Sequence, residues 1–109
     1  MAVLHWKLQR ITAILLTPIM IYLACYLLGI NDLSYSEIKT DIASPLGFIF
    51  IIVSSIAIFL HSSLGITVII EDYIHSAGIQ KLFINISKLL HILIVTLIIF
   101  STLNIASYS

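Results

Sequence analysis

The sequence predicts an all-α integral membrane protein with three transmembrane helices. Of its 109 residues, 61% are hydrophobic and only 9% are charged, and the mean hydropathy is +1.18. Three apolar runs, residues 11–30, 46–70 and 82–105, each match or exceed the roughly 20 residues with which a helix crosses a hydrocarbon core. These runs use nearly the whole chain. We therefore expect one membrane domain, residues 1–109, and no folded domain outside the membrane.

The first predicted helix, residues 11–30, follows a short segment that lacks the long apolar core of a signal peptide, so we expect this helix to be retained. Pro18 removes one backbone hydrogen bond from it. The single cysteine, Cys25, lies inside the span, so neither a disulfide framework nor a cysteine-based metal site is predicted. A zero formal charge argues against a nucleic-acid partner.

The other two helices are separated by clear turn signals. A loop over residues 31–45 precedes the second helix, residues 46–70, and Ser44 and Pro45 have the N-cap and N1 pattern that begins a helix. The third helix, residues 82–105, follows a short turn built from small residues.

The few cations predict the orientation of the chain. Lys7 and Arg10 precede the first helix, and Lys81 and Lys88 flank the start of the third, whereas the loop between the first two helices has Lys39 against three acids. Basic residues beside spans stay on the cytoplasmic or matrix side. We therefore expect the N-terminus and the second loop inside and the C-terminus outside.

His61 is predicted to lie near the middle of the membrane, about nine residues or roughly 14 Å from the inner end of its helix. An ionisable group at this depth faces the helix bundle and needs a partner, so His61 is either a ligand or relay residue, or a neutral histidine bonded to a neighbouring helix. Gly65, one turn further on, would admit a flat cofactor or a second helix. One stripe of this helix carries both residues, and its members are Ser54, Ile58, His61, Gly65, Val68 and Asp72.

His91 in the third helix is predicted to lie at nearly the same depth as His61. A neutral imidazole nitrogen is a common axial ligand of haem iron. The two histidines are therefore consistent with a bis-histidine site within this chain, and equally with an interhelical hydrogen bond.

A polar cluster is predicted at the inner membrane surface. Asp72 and Tyr73 end the second helix near where Trp6 and Arg10 begin the first. Taken singly, the aromatic residues are typical interfacial anchors, and Arg10 with Asp72 would make an ion pair. Taken together, a phenol beside an acid and a guanidinium could bind and protonate a quinone carbonyl, and Arg10 could also bind anionic propionates.

Two segments resemble one known family. His61, Gly65, Asp72 and Tyr73 form the pattern H-x3-G-x6-D-Y, and the segment HWKLQRITAI contains a Q-R-x-T-A core. With three spans, this pattern resembles the small membrane-anchor subunit of succinate dehydrogenase, or complex II, of the alphaproteobacterial and mitochondrial type. Ser62 and its neighbour stand where many relatives have bulkier or basic residues.

The resemblance implies a cofactor and a substrate site. His61 would be one axial ligand of a haem b iron. The other ligand would come from the companion anchor, which is the second membrane subunit of such complexes. Tyr73 would donate a hydrogen bond to ubiquinone and Asp72 would support that site. Arg10 would lie near the propionates and the quinone, and His5 near the propionates.

The resemblance also implies partners and a location. Besides the companion anchor, the chain would bind an iron–sulfur subunit and a flavoprotein in which succinate is oxidised, within the respiratory chain and the tricarboxylic acid cycle. It would lie in a mitochondrial or bacterial inner membrane and have no catalytic residue of its own. Two alternatives stay open, namely a self-contained membrane cytochrome that uses His61 and His91, and a purely structural or assembly subunit.

Overall fold

The computed structural model describes residues 2–107, and all regular structure within them is helical. Three of the helices are long and apolar enough to cross a membrane, which confirms the predicted fold class. The elements in chain order are α1 (Ala2–Leu28), a 3-10 turn (Ile30–Asp32), α2 (Tyr35–Ala43), α3 (Pro45–Tyr73) and α4 (Ala77–Ser107).

α1 begins well before its apolar run, at Ala2. Leucine, lysine, glutamine and arginine, which fill half of the segment before Ile11, are all good helix formers, so the helix extends through them. Consequently Arg10 lies inside a continuous helix rather than in a separate head.

α2 is the one helix that the sequence analysis misses, because it lies where a loop is predicted. A capping box begins it, in which the Ser34 N–H donates to Glu37 Oε2 (2.7 Å) and the Glu37 N–H donates to Ser34 Oγ (3.2 Å). Hydrogen bonding of the Glu37 carboxylate with Ser34, by the Ser34 backbone N–H first and its side chain second, holds the pKa of Glu37 below its ordinary value. The Ser-x-x-Glu pattern of this capping box is the feature of the sequence that indicates a helix here.

α3 lies between α1 and α4 and packs against both. Within residues 2–107, α1 and α4 do not contact each other, and α2 lies against α3 and α4. α3 is therefore the span that joins the other two. We call the end where α1 and α4 begin and α3 stops the Tyr73 end, and the opposite end the Ser44 end.

α1 and α3 are antiparallel, and three side-chain contacts fix their register. Residues early in α1 meet residues late in α3, and their residue numbers add up to nearly the same value in every pair. The pairs are Thr12 with His61, Gln9 with Gly65, and Tyr22 with Phe50.

The buried positions of the bundle carry small or hydroxyl side chains rather than large apolar ones. Small residues let membrane helices approach closely, while large apolar side chains gain nothing by leaving lipid for the bundle interior. The buried residues are Thr12, Ser54, Ser55, Ala57, Ser63 and Thr102.

α2 and α3 meet at a sharp corner that requires glycine. Ser44 caps α3 by accepting a hydrogen bond from the Gly47 N–H (3.1 Å), and Pro45 follows as the first helical residue, as the sequence predicts. A Cβ atom at Gly47 would collide with the backbone carbonyl of Asp41 and lie 3.0 Å from Ser44 Oγ.

We expect Gly47→Ala to destabilise the protein by about 1–3 kcal/mol, because the backbone of α2 must move to admit the methyl group. The measurement is the thermal midpoint of the purified protein in detergent. Gly78→Ala is the matched control, since a Cβ there meets no atom within 4 Å. Equal midpoints for the two variants would contradict the assigned contact.

Candidate functional site

His61 lies in the contact between α3 and α1, half-buried at membrane depth. Its Nδ1 is 3.2 Å from the hydroxyl oxygen of Thr12. That hydroxyl is also 2.7 Å from the carbonyl oxygen of Leu8, to which it donates. His61 therefore has the partner that an ionisable group in a membrane requires.

These contacts favour one tautomer of a neutral His61 ring. Because the Thr12 proton goes to the Leu8 carbonyl, the Thr12 oxygen accepts, and His61 Nδ1 is the donor. In a neutral imidazole the proton on Nδ1 leaves Nε2 with a lone pair. Within the described chain, Nε2 of His61 has no hydrogen-bond partner and is not enclosed by protein. This nitrogen is therefore unpaired and accessible in the described chain.

His91 differs from His61 in this respect, although the two lie at the same level of the bundle. Its Nδ1 donates to the Ser87 carbonyl oxygen (2.7 Å), and its Nε2 accepts from the Ser62 hydroxyl (2.8 Å). The ring also meets Phe59 edge-on, with centroids 5.8 Å apart. Both nitrogens of His91 are therefore occupied, and its interhelical hydrogen bond is made with Ser62, not with His61.

Gly65 admits a second helix rather than a cofactor. A Cβ there would be 3.2 Å from the Gln9 side-chain nitrogen, so the Gln9 amide of α1 already covers this face. The Gln9 Oε1 atom is buried without a hydrogen-bond partner in the described residues. The sequence allows either a flat cofactor or a second helix beside Gly65, and in the structure α1 lies there.

The register separates Arg10 from the polar residues that end α3. Since Thr12 pairs with His61 and Gln9 with Gly65, Arg10 lies near the level of His61. Asp72 is about nine residues further along α3, or roughly 13 Å away along the bundle axis. Arg10 and Asp72 are therefore separated along the bundle axis and do not lie side by side.

Arg10 has a different partner. Its guanidinium carbon lies 5.1 Å from the centre of the Trp6 ring, in cation–π geometry. No ion pair joins it to Asp72 in the part of the chain that the structure describes. Arg10 and Trp6 both lie on the exposed surface of α1, as does His5.

Asp72 and Tyr73 project from the Tyr73 end of the bundle. Both are exposed, and 81% of Tyr73 is accessible. This chain therefore supplies the two side chains but no enclosing wall around them, so a closed pocket at this end needs groups from elsewhere.

An open cleft lies at the other end of the bundle. It has a volume of about 750 Å³ and lies between α1, α2 and the start of α3. Its lining is almost wholly apolar, and its main polar feature is the Tyr26 hydroxyl donating to Asp41 Oδ2 (2.8 Å). None of the predicted site residues lines it. We assign the site by the chemistry of His61 and Tyr73, since open apolar clefts are expected wherever membrane helices lack a neighbour.

The sequence analysis misses two residues of the site, Thr12 and Ser62. Thr12 is the threonine of the Q-R-x-T-A core, so its segment is recognised but not its contact with His61. Ser62 is noted in the sequence only as a difference from relatives. Because Ser62 follows His61 and therefore lies at the depth of His91, the sequence could have predicted its hydrogen bond with His91.

Fold and site together define a small multi-pass membrane protein whose spans bury few side chains and whose central span carries a histidine with one unpaired nitrogen among the described residues. The family model for the succinate dehydrogenase/fumarate reductase transmembrane subunit matches residues 1–104. The chain belongs to this family, which confirms the resemblance of its motifs. Like the other members, it is a multi-pass inner-membrane protein and one subunit of a larger complex.

Relatives in Rickettsia and Reclinomonas are named as succinate dehydrogenase anchors. A hydrophobic membrane anchor subunit of Rickettsia bellii is 32% identical over 104 residues, which cover 95% of this chain and 75% of the relative. A membrane anchor subunit of Reclinomonas americana is 40% identical over 76 residues, covering 66% and 62% of the two chains. No solved structure matches the chain significantly.

Proposed function

We propose that this chain is the small membrane anchor of a succinate:ubiquinone oxidoreductase, where it supplies one axial ligand of haem b and part of the ubiquinone site. His61 is the ligand to iron, and Tyr73 is the donor to the quinone. The companion anchor supplies the second haem ligand. An iron–sulfur subunit and a flavoprotein complete the complex.

The free Nε2 of His61 carries the proposal. A haem ligand needs an unprotonated imidazole nitrogen that is open to the metal, and a second nitrogen fixed by a hydrogen bond. His61 meets both requirements, whereas both His91 nitrogens are engaged. The donor set therefore fits a haem shared with another subunit better than one held by His61 and His91 in this chain. When bound, the haem supplies a one-electron redox centre.

The level of Arg10 supports a role at the propionates rather than at the quinone. Arg10 is exposed and lies close to the level of His61 in the register of α1 and α3. A guanidinium there can pair with a propionate carboxylate of a haem ligated at His61. His5, five residues earlier on α1 and also exposed, stays a weaker candidate for the second propionate.

Tyr73 and Asp72 support a quinone site at the Tyr73 end. The phenol can donate its proton in a hydrogen bond to a quinone carbonyl, and the neighbouring carboxylate can orient the phenol or relay a proton to it. Their exposure is consistent with a site whose remaining walls belong to other subunits. Lys7, Lys81 and Lys88 at this end favour the inner side of the membrane, where the iron–sulfur subunit would dock.

Purification of the complex through an affinity tag on this chain tests the proposal. We expect the companion anchor, the iron–sulfur subunit and the flavoprotein to co-purify in equal amounts, with succinate:ubiquinone reductase activity and one b-type haem for each flavin. Haem bound to this chain without the companion anchor would instead support the self-contained cytochrome. An active complex without haem would support a structural role.

A further inference from the structure

We propose that Thr12 is a positioning residue for His61: its hydroxyl oxygen holds Nδ1 protonated and orients the ring so that Nε2 faces the iron. This inference rests on the proposed role of His61 as a haem ligand. It assigns to the Q-R-x-T-A segment a second function besides the one proposed for Arg10.

The position of the Thr12 oxygen is fixed by α1 itself. Thr12 is buried, with 3% of its surface exposed, and its hydroxyl lies 2.7 Å from the Leu8 carbonyl oxygen and 3.1 Å from that of Gln9. A threonine hydroxyl that donates to the carbonyl one turn earlier is held in a single rotamer. The oxygen therefore presents its lone pairs to α3 at a fixed point.

The alternative tautomer of His61 is disfavoured by the same contacts. If His61 Nδ1 were the acceptor, the Thr12 hydroxyl would have to donate to it over 3.2 Å. The hydroxyl would then give up its 2.7 Å hydrogen bond to the Leu8 carbonyl oxygen. The proton would then lie on Nε2, where no acceptor is present in the described chain. An unpaired N–H is costly in a membrane interior. The alternative tautomer therefore has a weaker hydrogen bond at Nδ1 and none at Nε2.

A hydrogen bond from the non-ligating nitrogen also affects the metal. Such bonds fix the ring orientation and make the imidazole a stronger donor to the metal. A stronger donor stabilises ferric haem relative to ferrous haem and lowers the midpoint potential. Loss of the Thr12 oxygen should therefore weaken haem binding and raise the potential.

Thr12→Val, which replaces the hydroxyl by a methyl group of similar size, tests the inference in the full complex. We expect about tenfold weaker haem retention during purification, a higher haem midpoint potential, and altered g values of the ferric haem in electron paramagnetic resonance. Thr12→Ser restores the oxygen and should restore all three.

Thr102→Val is the matched control, because Thr102 is equally buried and donates to the Ile98 carbonyl (2.7 Å) but has no histidine partner. Succinate oxidation with an artificial acceptor verifies assembly, and Thr12→Ala replaces the valine variant should that variant not assemble. A Thr12→Val complex with unchanged haem retention, potential and g values overturns the inference. Haem that persists in His61→Ala would instead overturn the proposed function.

Discussion

Replacing His61 with alanine is expected to remove haem b from the complex, whereas the same change at His91 should leave the haem in place. Of the two histidines at this level of the bundle, only His61 has a nitrogen without a hydrogen bond in the described residues, because both His91 nitrogens are hydrogen-bonded. We expect the haem content of His61→Ala to fall at least about tenfold. Loss of a group that is hydrogen-bonded to a metal ligand already lowers metal affinity by about that factor, and loss of the ligand itself should lower it at least as much. The measurements are the pyridine haemochrome and the reduced-minus-oxidised spectrum, both normalised to flavin.

His91→Ala serves as the control for helix packing. It breaks the bond to Ser62 between α3 and α4, which in membranes is worth about 0.6 kcal/mol on average, and should lower thermal stability modestly. Loss of haem in His91→Ala with retention in His61→Ala would reverse the assignment. Loss in both variants, for complexes purified with all subunits, would favour the bis-histidine cytochrome.

Replacing Tyr73 with phenylalanine is expected to slow ubiquinone reduction at least about a hundredfold, since a positioned general acid typically contributes that much. The variant loses only the hydroxyl, and the ring is 81% exposed, so folding should be unaffected. The measurement compares succinate:ubiquinone reductase activity with succinate oxidation by a soluble artificial acceptor. The first should fall and the second should persist.

Tyr35 provides a matched control for that experiment. It is also 81% exposed but lies at the start of α2, at the Ser44 end of the bundle. Tyr35→Phe should leave both activities unchanged. If Tyr73→Phe reduced ubiquinone at the normal rate, or if both variants lost activity equally, Tyr73 would not be the quinone donor.

Most of the fold follows from the sequence, because apolar length alone specifies a membrane span. Pro45 and Ser44 also begin α3 as their types predict. The error concerns α2, where polar residues indicate a loop. Its helix depends on the Ser34–Glu37 capping box and on packing against α3 and α4, and only the first of these is visible in the sequence.

The sequence predicts the depth of the site residues but not their contacts between helices. The depth of His61 can be counted along one helix, and so can that of His91. Partners across helices depend on register, which a single sequence does not specify when the packed positions are serine, threonine and glycine. For that reason the Thr12 contact is missed, and Arg10 is grouped with Asp72 although the helices hold them apart.

The central position of α3 has a consequence for biosynthesis. Chains emerge from the ribosome N-terminus first, and membrane helices associate after each has inserted. Because α1 and α4 each contact α3 and not each other within residues 2–107, the α1–α3 pair, including the threonine–histidine bond, can form while the last span is still being translated. The last helix then joins a surface that already exists, and no earlier contact has to open to receive it.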